Sequence, residues 1–412
     1  MINIAVLGYG TVGSGVVQVI DENNDSINKK SGDEIKIKYV LDLRDFPGDR
    51  VEPILVHDFD TIINDPEVKI VVEVMGGVEP AYTFVKKSLE AGKSVCTSNK
   101  ELVAAHGPEL IGIARKNNIN FLFEASVGGA IPVIRPIKSS LTADRILEIK
   151  GILNGTTNYI LTQMASEGWE FDRALSSAQE LGFAERNPEA DIEGHDATRK
   201  IAILASLASG NNVNFEEIYT EGISKITATD IRYAKEMNCA IKLLASFSSD
   251  ERGNYAMVAP FLVRSTHPLY SVSGVYNAIF VKGSHIGDVM FYGSGAGKLP
   301  TACAVVSDIV DAAKHIDKHI YTFWSEKDLK LTGIENATRN FFVRVAGRRR
   351  DLEEKVVEAF GKVKFIELGD LGQEFGFITP AVTERSFNER LPLIPGVLGR
   401  IRLEEEIENA GC

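Results

Sequence analysis

Residues 2–13 read INIAVLGYGTVG, a β-branched run that breaks at Gly8 and opens a helical pattern through Gly10 and Gly13. A bare GxGxxG is a weak signal, but one that ends a strand and begins a helix carries a mechanism. Gly8 permits the tight turn, Gly10 lets the main chain approach a pyrophosphate, and Gly13 allows close helix packing. The N–H groups of Thr11, Val12 and Gly13 then face outward at a helix start, where phosphate oxygens bind. Outward from this stretch, IKIKYVLDL (35–43), IVVEVMG (70–76), KSVCTSN (93–99) and NINFLFEAS (118–126) are strand-like runs. Helical patterns alternate with them. Such alternation predicts parallel βαβ units and an α/β fold with a Rossmann-type dinucleotide-binding domain.

The polar stretch DENNDSINKKSGDE (21–34) reads as a surface extension. From about Arg135 the character changes, with strands such as EIKGILN (148–154) and AMVAPFLV (256–263) separated by long helices, as in a mixed α+β domain. After GSGAGKLP the segment TACAVVSDIVDAAKHI is strongly helical, and from about Asn336 a strand, a helix and further strands follow. The expected division is 1–134 for the nucleotide domain, completed by 298–325. Residues 135–297 would bind substrate and dimerise, and 336–412 would form a small α/β module.

Composition narrows the function. The chain has 412 residues, 44% hydrophobic and 25% charged, with a net charge of -12. That balance argues against nucleic acid or an anionic membrane as principal partner, since both call for a basic face. MINIAVLGYG lacks a charged leader and runs straight into the glycine turn, so it reads as a strand rather than a signal peptide. Cys96, Cys239, Cys303 and Cys412 show no CxxC spacing, which fits a reducing cytoplasm and gives no support for a zinc site.

Several motifs sit where ligands bind in such folds. Asp42, Arg44 and Asp45 end the second strand: an acid there suits the 2′-hydroxyl of NAD, an arginine the 2′-phosphate of NADP, and both are present. Asn99 and Lys100 in VCTSNKELVAAHG (95–107) fall at the carboxyl edge of the sheet, although an isolated lysine is more often solvated. FEASVGGAIPVIRP (123–136) is a turn whose main-chain oxygens suit a hard monovalent cation, or a hinge. NGTTNYI (154–160) offers hydroxyl and amide groups to a substrate, or caps a helix through Asn154 or Thr156. GSGAGKLPTA (293–302) is a second glycine-rich turn whose backbone, at Gly295 and Gly297, can approach a cofactor or simply return the chain to the first domain. In ERNPEADIEGHDATRK (185–200), Pro188 and Gly194 mark a loop and Asp196 a helix start. Asp196 and Lys200 are i, i+4 neighbours, for which an ordinary ion pair is the plainer account.

Taken together the blocks GYGTVG, TSNK, FEASVGGAIP, NGTTNYI, LGFAERNPEADIEGHDATRK and GSGAGKLPTA resemble, in order, those of homoserine dehydrogenases. The resemblance implies a monofunctional, NAD- or NADP-dependent enzyme interconverting L-aspartate 4-semialdehyde and L-homoserine, cytoplasmic and a homodimer or homotetramer. It implies Lys200 as proton donor and acceptor, Asp196 and Glu185 as substrate ligands, and Lys100 beside cofactor and substrate. Asn154 and Thr156 join the substrate set. Asn99, Gly182, Gly295 and Gly297 join Gly8, Gly10, Thr11, Val12, Gly13 and Arg44 around the cofactor. A sodium ion is implied on main-chain oxygens of Glu124, Val127, Gly129 and Ile131. Asp191 and Glu193 are expected only to support their loop. The C-terminal module is ACT-like in element order, yet GRRRDLEE replaces the Asp-x-Pro-Gly turn of effector-binding members, so no effector is assigned to it. Two other readings remain: a reductase for another amino-acid-derived carbonyl, and a noncatalytic dinucleotide sensor.

Overall fold

The computed structural model describes residues 1–404; Cys412 and the end of the C-terminal module lie outside the described residues. Chain contacts divide the protein into two units, residues 1–146, 199–216 and 281–329, and residues 147–198, 217–280 and 330–412.

The first unit holds a six-stranded sheet of β1 (Ile2–Leu7), β2 (Ile35–Leu41), β3 (Leu55–Val56), β4 (Val68–Glu73), β5 (Ser94–Thr97) and β6 (Phe121–Leu122). Its order is β3-β2-β1-β4-β5-β6 and every pairing is parallel. This is the doubly wound dinucleotide-binding order, with its switch point beside β1, where ligands bind at the strand ends. β1 is buried at all six positions, as a central parallel strand covered on both faces must be. Helix α1 (Thr11–Glu22) packs on it through Val16, Val17, Val19 and Ile20. The helix Lys298–Lys314 joins the same core through Ala302, Val305 and Ile309.

The polar stretch 21–34 lies at the surface, exposed or half-buried at all but two positions. It contains a second helix, α2 (Asn24–Ser31), which buries Ile27 and Ser31 and ends on Gly32 in the left-handed conformation. Two buried positions on an otherwise polar helix leave little periodic signal, and Asn-rich composition favours turns by propensity.

In the second unit a mostly antiparallel sheet runs in the order Ile146–Ile152, Cys239–Asp250, Gly253–Arg264, Val397–Leu403, Phe341–Ala346, Glu374–Ile378 and Lys364–Ile366. The hairpin 239–264 pairs residue for residue from Cys239↔Arg264 to Asp250↔Gly253. The C-terminal segment has the element order βαββαβ, with helices Arg349–Phe360 and Glu384–Arg390. Its last strand lies beside its first, with the third and second following, the ferredoxin-like arrangement. That last strand also pairs in parallel with Gly253–Arg264, at Phe261↔Arg402 and Leu262↔Leu403. One continuous sheet therefore joins the hairpin to the C-terminal segment. Arg402, 1% exposed, holds the seam: its guanidinium bonds both carboxylate oxygens of Glu384, at 2.7 and 2.8 Å, and Glu221 at 2.7 Å.

Candidate active site

The glycine turn is set by close backbone contacts. Gly8 has φ +97°, and its N–H donates to the Leu41 carbonyl at 2.8 Å. A Cβ on Gly13 would stand 2.0 Å from the Gly8 carbonyl oxygen, so only glycine lets α1 start there. A Cβ on Gly10 would meet no atom within 4 Å. The protein itself therefore gives no steric reason for glycine at position 10, and the space beside it is free for a ligand. Gly10 caps α1 without a side-chain bond, and no acidic residue lies in the first turn, so the N–H groups of Thr11, Val12 and Gly13 form an anion cradle. Beside it opens a cleft of about 520 Å³ lined by Gly8, Gly10, Asp42, Arg44, His57 and Met75 among others.

Within the lining of this cleft, Asp42 and Arg44 are bound to each other. The Asp42 carboxylate accepts from the Arg44 N–H, Nε and Nη2 at 3.0, 2.9 and 2.9 Å, and from the Tyr9 N–H at 2.8 Å. The arginine contacts hold the Asp42 carboxyl far below the usual carboxylate range. The guanidinium lies over the Phe46 ring, 5.1 Å from its centroid, with the side chain 62% exposed. Asp45 is exposed and pairs with His57 Nε2 at 3.1 Å, while His57 Nδ1 bonds the Asp42 carbonyl at 2.7 Å. His57 escaped the sequence reading because only the pairing of the two-residue strand β3 with β2 brings it to Asp42.

Glu73, the last residue of β4, was also missed. Its buried carboxylate accepts from Thr97 Oγ1 at 2.6 Å, the Met75 N–H at 2.8 Å and the Gly76 N–H at 3.4 Å. Burial pushes its carboxyl up, and these donors oppose that shift. Glu73 thereby fixes the turn that forms one wall of the cleft. The single acid in the apolar run IVVEVMG was the available signal. Asn99 caps the helix Lys100–Lys116 by accepting from the Leu102 N–H at 3.1 Å, and donates to the Gly77 carbonyl at 2.6 Å. Both ends of that amide are thus engaged within the protein, and Lys100 opens the helix half-buried.

The two later glycine turns of this unit meet. Gly129, at φ +55°, would carry a Cβ only 2.5 Å from the Gly295 carbonyl oxygen, and the Ala130 N–H donates to the Ser294 carbonyl at 3.1 Å. Gly297, at φ +123°, caps the helix Lys298–Lys314. The Glu124 carboxylate accepts the N–H groups of Val133, Ile134 and Arg135 at 2.7 to 2.9 Å, which pins the turn holding Val127, Gly129 and Ile131. Among the described residues no cluster of His, Cys, Asp or Glu side chains could hold a metal, so a cation here would rely on main-chain oxygens.

In the second unit, Asn154 caps the helix Gly155–Glu167 through its Oδ1, 2.9 Å from the Thr157 nitrogen. Its Nδ2 donates to Asp191 Oδ1 at 2.7 Å and to Asp196 Oδ2 at 3.0 Å. Thr156 Oγ1 bonds the Phe183 carbonyl at 2.6 Å and Asp191 Oδ2 at 3.1 Å. Asp191, expected only to support its loop, is therefore joined to Asp196 through one shared amide. Asp196, 5% exposed, lies in the first turn of the helix His195–Ser209, with Lys200 half-buried one turn later, on the part of that helix that belongs to the first unit. Glu185 is exposed and its carbonyl accepts from Gln179 Nε2 at 3.1 Å. Gly182, exposed at φ +74°, ends the preceding helix. Glu193 packs against Gly222, where an added Cβ would come within 2.5 Å of it.

The doubly wound sheet and the glycine turn that opens α1, with a cleft beside it, are those of an NAD(P)-dependent oxidoreductase. Residues 8–124 match the family profile "Homoserine dehydrogenase, NAD binding domain" and residues 132–310 match "Homoserine dehydrogenase". The chain belongs to the homoserine dehydrogenase family. It is 41% identical to the enzyme of Lactococcus lactis, over 76% of this chain and 74% of that one, and 45% identical to that of Synechocystis, over 75% and 73%. The crystal structure of a homoserine dehydrogenase from Thiobacillus denitrificans superposes with a TM-score of 0.89 at 34% identity, covering 98% of both chains. A hyperthermophilic archaeal homoserine dehydrogenase in complex with NADPH gives 0.65 at 29% identity, over 76% of this chain and 97% of that one. The activity is the NAD(P)-dependent interconversion of L-aspartate 4-semialdehyde and L-homoserine. The reading as a dinucleotide sensor without catalysis falls away.

Proposed function

We propose that Lys200 carries the proton in this reaction and that Asp196 orients it. The bound nicotinamide supplies or receives the hydride. Reduction of the aldehyde then requires a proton on the developing alkoxide, and a lysine beside that oxygen delivers it and stabilises the charge. The observation that carries this reading is the placement of Lys200 one helical turn after Asp196, whose own carboxylate is fixed by Asn154. Glu185 pairs with the substrate ammonium, Asp196 holds substrate as well as orienting Lys200, Asn154 and Thr156 join the substrate set, and Lys100 approaches substrate and cofactor. Gly8, Gly10, Thr11, Val12 and Gly13 take the pyrophosphate, Arg44 the adenosine end, and Asn99, Gly182, Gly295 and Gly297 complete the cofactor set.

Main-chain oxygens of Glu124, Val127, Gly129 and Ile131 are proposed to take sodium. The βαββαβ segment is proposed as an ACT-like module without an assigned effector, and the enzyme as a cytoplasmic homodimer or homotetramer. Among the described residues no helix is long and apolar enough to cross a membrane. Initial rates of L-homoserine oxidation with each cofactor, with and without sodium, test the reading. Loss of turnover in Lys200→Ala with cofactor binding retained supports it; full activity of that variant overturns it.

A further inference from the structure

Lys242, in the strand Cys239–Asp250 of the second unit, is 4% exposed. Its ammonium donates to the Val272 carbonyl and, at 3.4 Å, to Asn158 Oδ1. Both acceptors are neutral. Among the described residues no carboxylate offsets its charge, and burial alone brings the amine down to about 8. An ammonium taken out of water without an anion is costly, so proteins rarely leave one without a purpose.

The same lysine lines a cleft of about 290 Å³, together with Lys235, Thr162, Ser166, Ser271 and Ser273. No Asp or Glu is among its lining residues, in a chain whose net charge is -12. The remaining lining is largely aliphatic, from residues such as Leu161, Ile231 and Ile241. The Thr162, Ser271 and Ser273 hydroxyls donate to main-chain carbonyls and Lys235 gives one N–H to the Ala165 carbonyl, so what the cleft offers is the charge of two ammoniums on an apolar wall. With no acceptor of formal charge among its lining, that matches an organic acid and disfavours a zwitterion. A bound ammonium would find no counter-ion here, which separates this cleft from the acid-rich segment around Asp191 and Asp196.

We propose that this cleft binds a small organic anion, a carboxylate or phosphate ester without an amino group, with Lys242 as its counter-charge. One wall is the helix Ala228–Glu236, through Ile231, Ala234 and Lys235. The same helix carries Tyr233, whose ring lies 5.3 Å from that of Phe342 in the C-terminal βαββαβ segment. Occupancy therefore bears on the helix against which that segment packs.

The test uses the full-length protein saturated with NADPH, so that the nucleotide cradle is filled. Succinate, glycerol 3-phosphate and inorganic phosphate are titrated by calorimetry and thermal shift, with L-threonine and L-homoserine as zwitterionic comparisons. Saturable binding of succinate or glycerol 3-phosphate is expected, and which of them binds identifies the anion type. Lys242→Met should weaken it about 10- to 100-fold, the range for losing one charge-assisted contact. Ser273→Asp, at an exposed position, puts a fixed carboxylate at the cleft and should abolish binding without disturbing the fold. If Lys242→Met does not fold, Ser273→Asp decides the matter. The proposal is overturned if neither organic anion binds, if Ser273→Asp binds like the parent, if a folded Lys242→Met does so, or if the zwitterions compete equally.

Discussion

Gly10→Ala and Gly13→Ala separate two reasons for glycine within one turn. At Gly10 the backbone is extended, φ −84° and ψ −153°, and an added Cβ meets nothing within 4 Å. Alanine there also reduces the freedom of the unfolded chain, by about 0.4–1 kcal/mol in favour of folding. The expected Tm without cofactor is therefore unchanged or slightly raised. The cofactor should be lost nonetheless, because the methyl group occupies the space through which the pyrophosphate approaches. We expect the NADPH Kd to rise at least about tenfold, the equivalent of about 1.4 kcal/mol.

At Gly13 the Cβ would lie 2.0 Å from the Gly8 carbonyl oxygen, against the ordinary contact limit of 3.4 Å. Roughly 1.4 Å must be absorbed by two backbone segments, one of them already at positive φ. Overpacking of that kind costs about 1–3 kcal/mol, and a shift of about 1 Å in a binding loop costs on the order of 100-fold in activity. Gly13→Ala should accordingly lose both stability and cofactor. Thermal unfolding of the cofactor-free proteins and NADPH fluorescence titration measure the two effects. The reasoning is refuted if Gly10→Ala binds NADPH like the parent, or if Gly13→Ala unfolds at the parental temperature.

Lys200→Met should lower kcat for homoserine oxidation by roughly 10²–10⁴, the usual worth of a general acid–base group, while NADPH binding is retained; a kcat within threefold, by about the precision of the assay, contradicts the assignment. Glu73→Gln replaces an acceptor of three hydrogen bonds by a group that also donates, so it should cost about 1–3 kcal/mol and raise the cofactor KM while leaving the homoserine KM near its parental value. Arg44→Ala should weaken NADPH more than NADH if the guanidinium reads the 2′-phosphate, and parallel titrations of the two cofactors give the ratio. Asp308, buried beside Glu124, has its carboxyl raised from 3.8 to about 7, mainly by burial, although Arg135 pairs with it at 2.7 Å. The folded state then binds the proton more tightly than the unfolded one, so this residue's stabilisation is full below about pH 4 and is lost as pH rises through about 7. Denaturant midpoints at pH 5 and pH 8 should differ less for Asp308→Asn than for the parent.

Much of the nucleotide unit was legible in the chain, because parallel strands buried on both faces are written as uninterrupted β-branched runs and the glycine turn has a fixed place after the first of them. Asp196 at a helix start was legible for a similar reason: Gly194 and the apolar periodicity behind it are local signals. The helix α2 was not, since only Ile27 and Ser31 are buried on it. Nor was the partnership of Asp191 with Asn154, which lie 37 residues apart and meet only when the loop closes on the helix Gly155–Glu167.

By itself, then, the sequence determined the parallel sheet, the glycine turn after its first strand and the order of motifs that marks the homoserine dehydrogenase family, because each rests on periodicity or on residues adjacent in the chain. The tertiary structure decided which polar groups are engaged with each other. Asp42 and Arg44 were alternatives on paper and are one ion pair in the fold; Glu73 proved to be the acceptor that holds a turn lining the cleft. Gly15, silent in the fingerprint, is where a Cβ would stand 2.9 Å from the Lys298 carbonyl oxygen, so glycine is what admits the helix Lys298–Lys314 against α1. Such pairings depend on distances between segments far apart in the chain, and no local pattern of residue types encodes a distance.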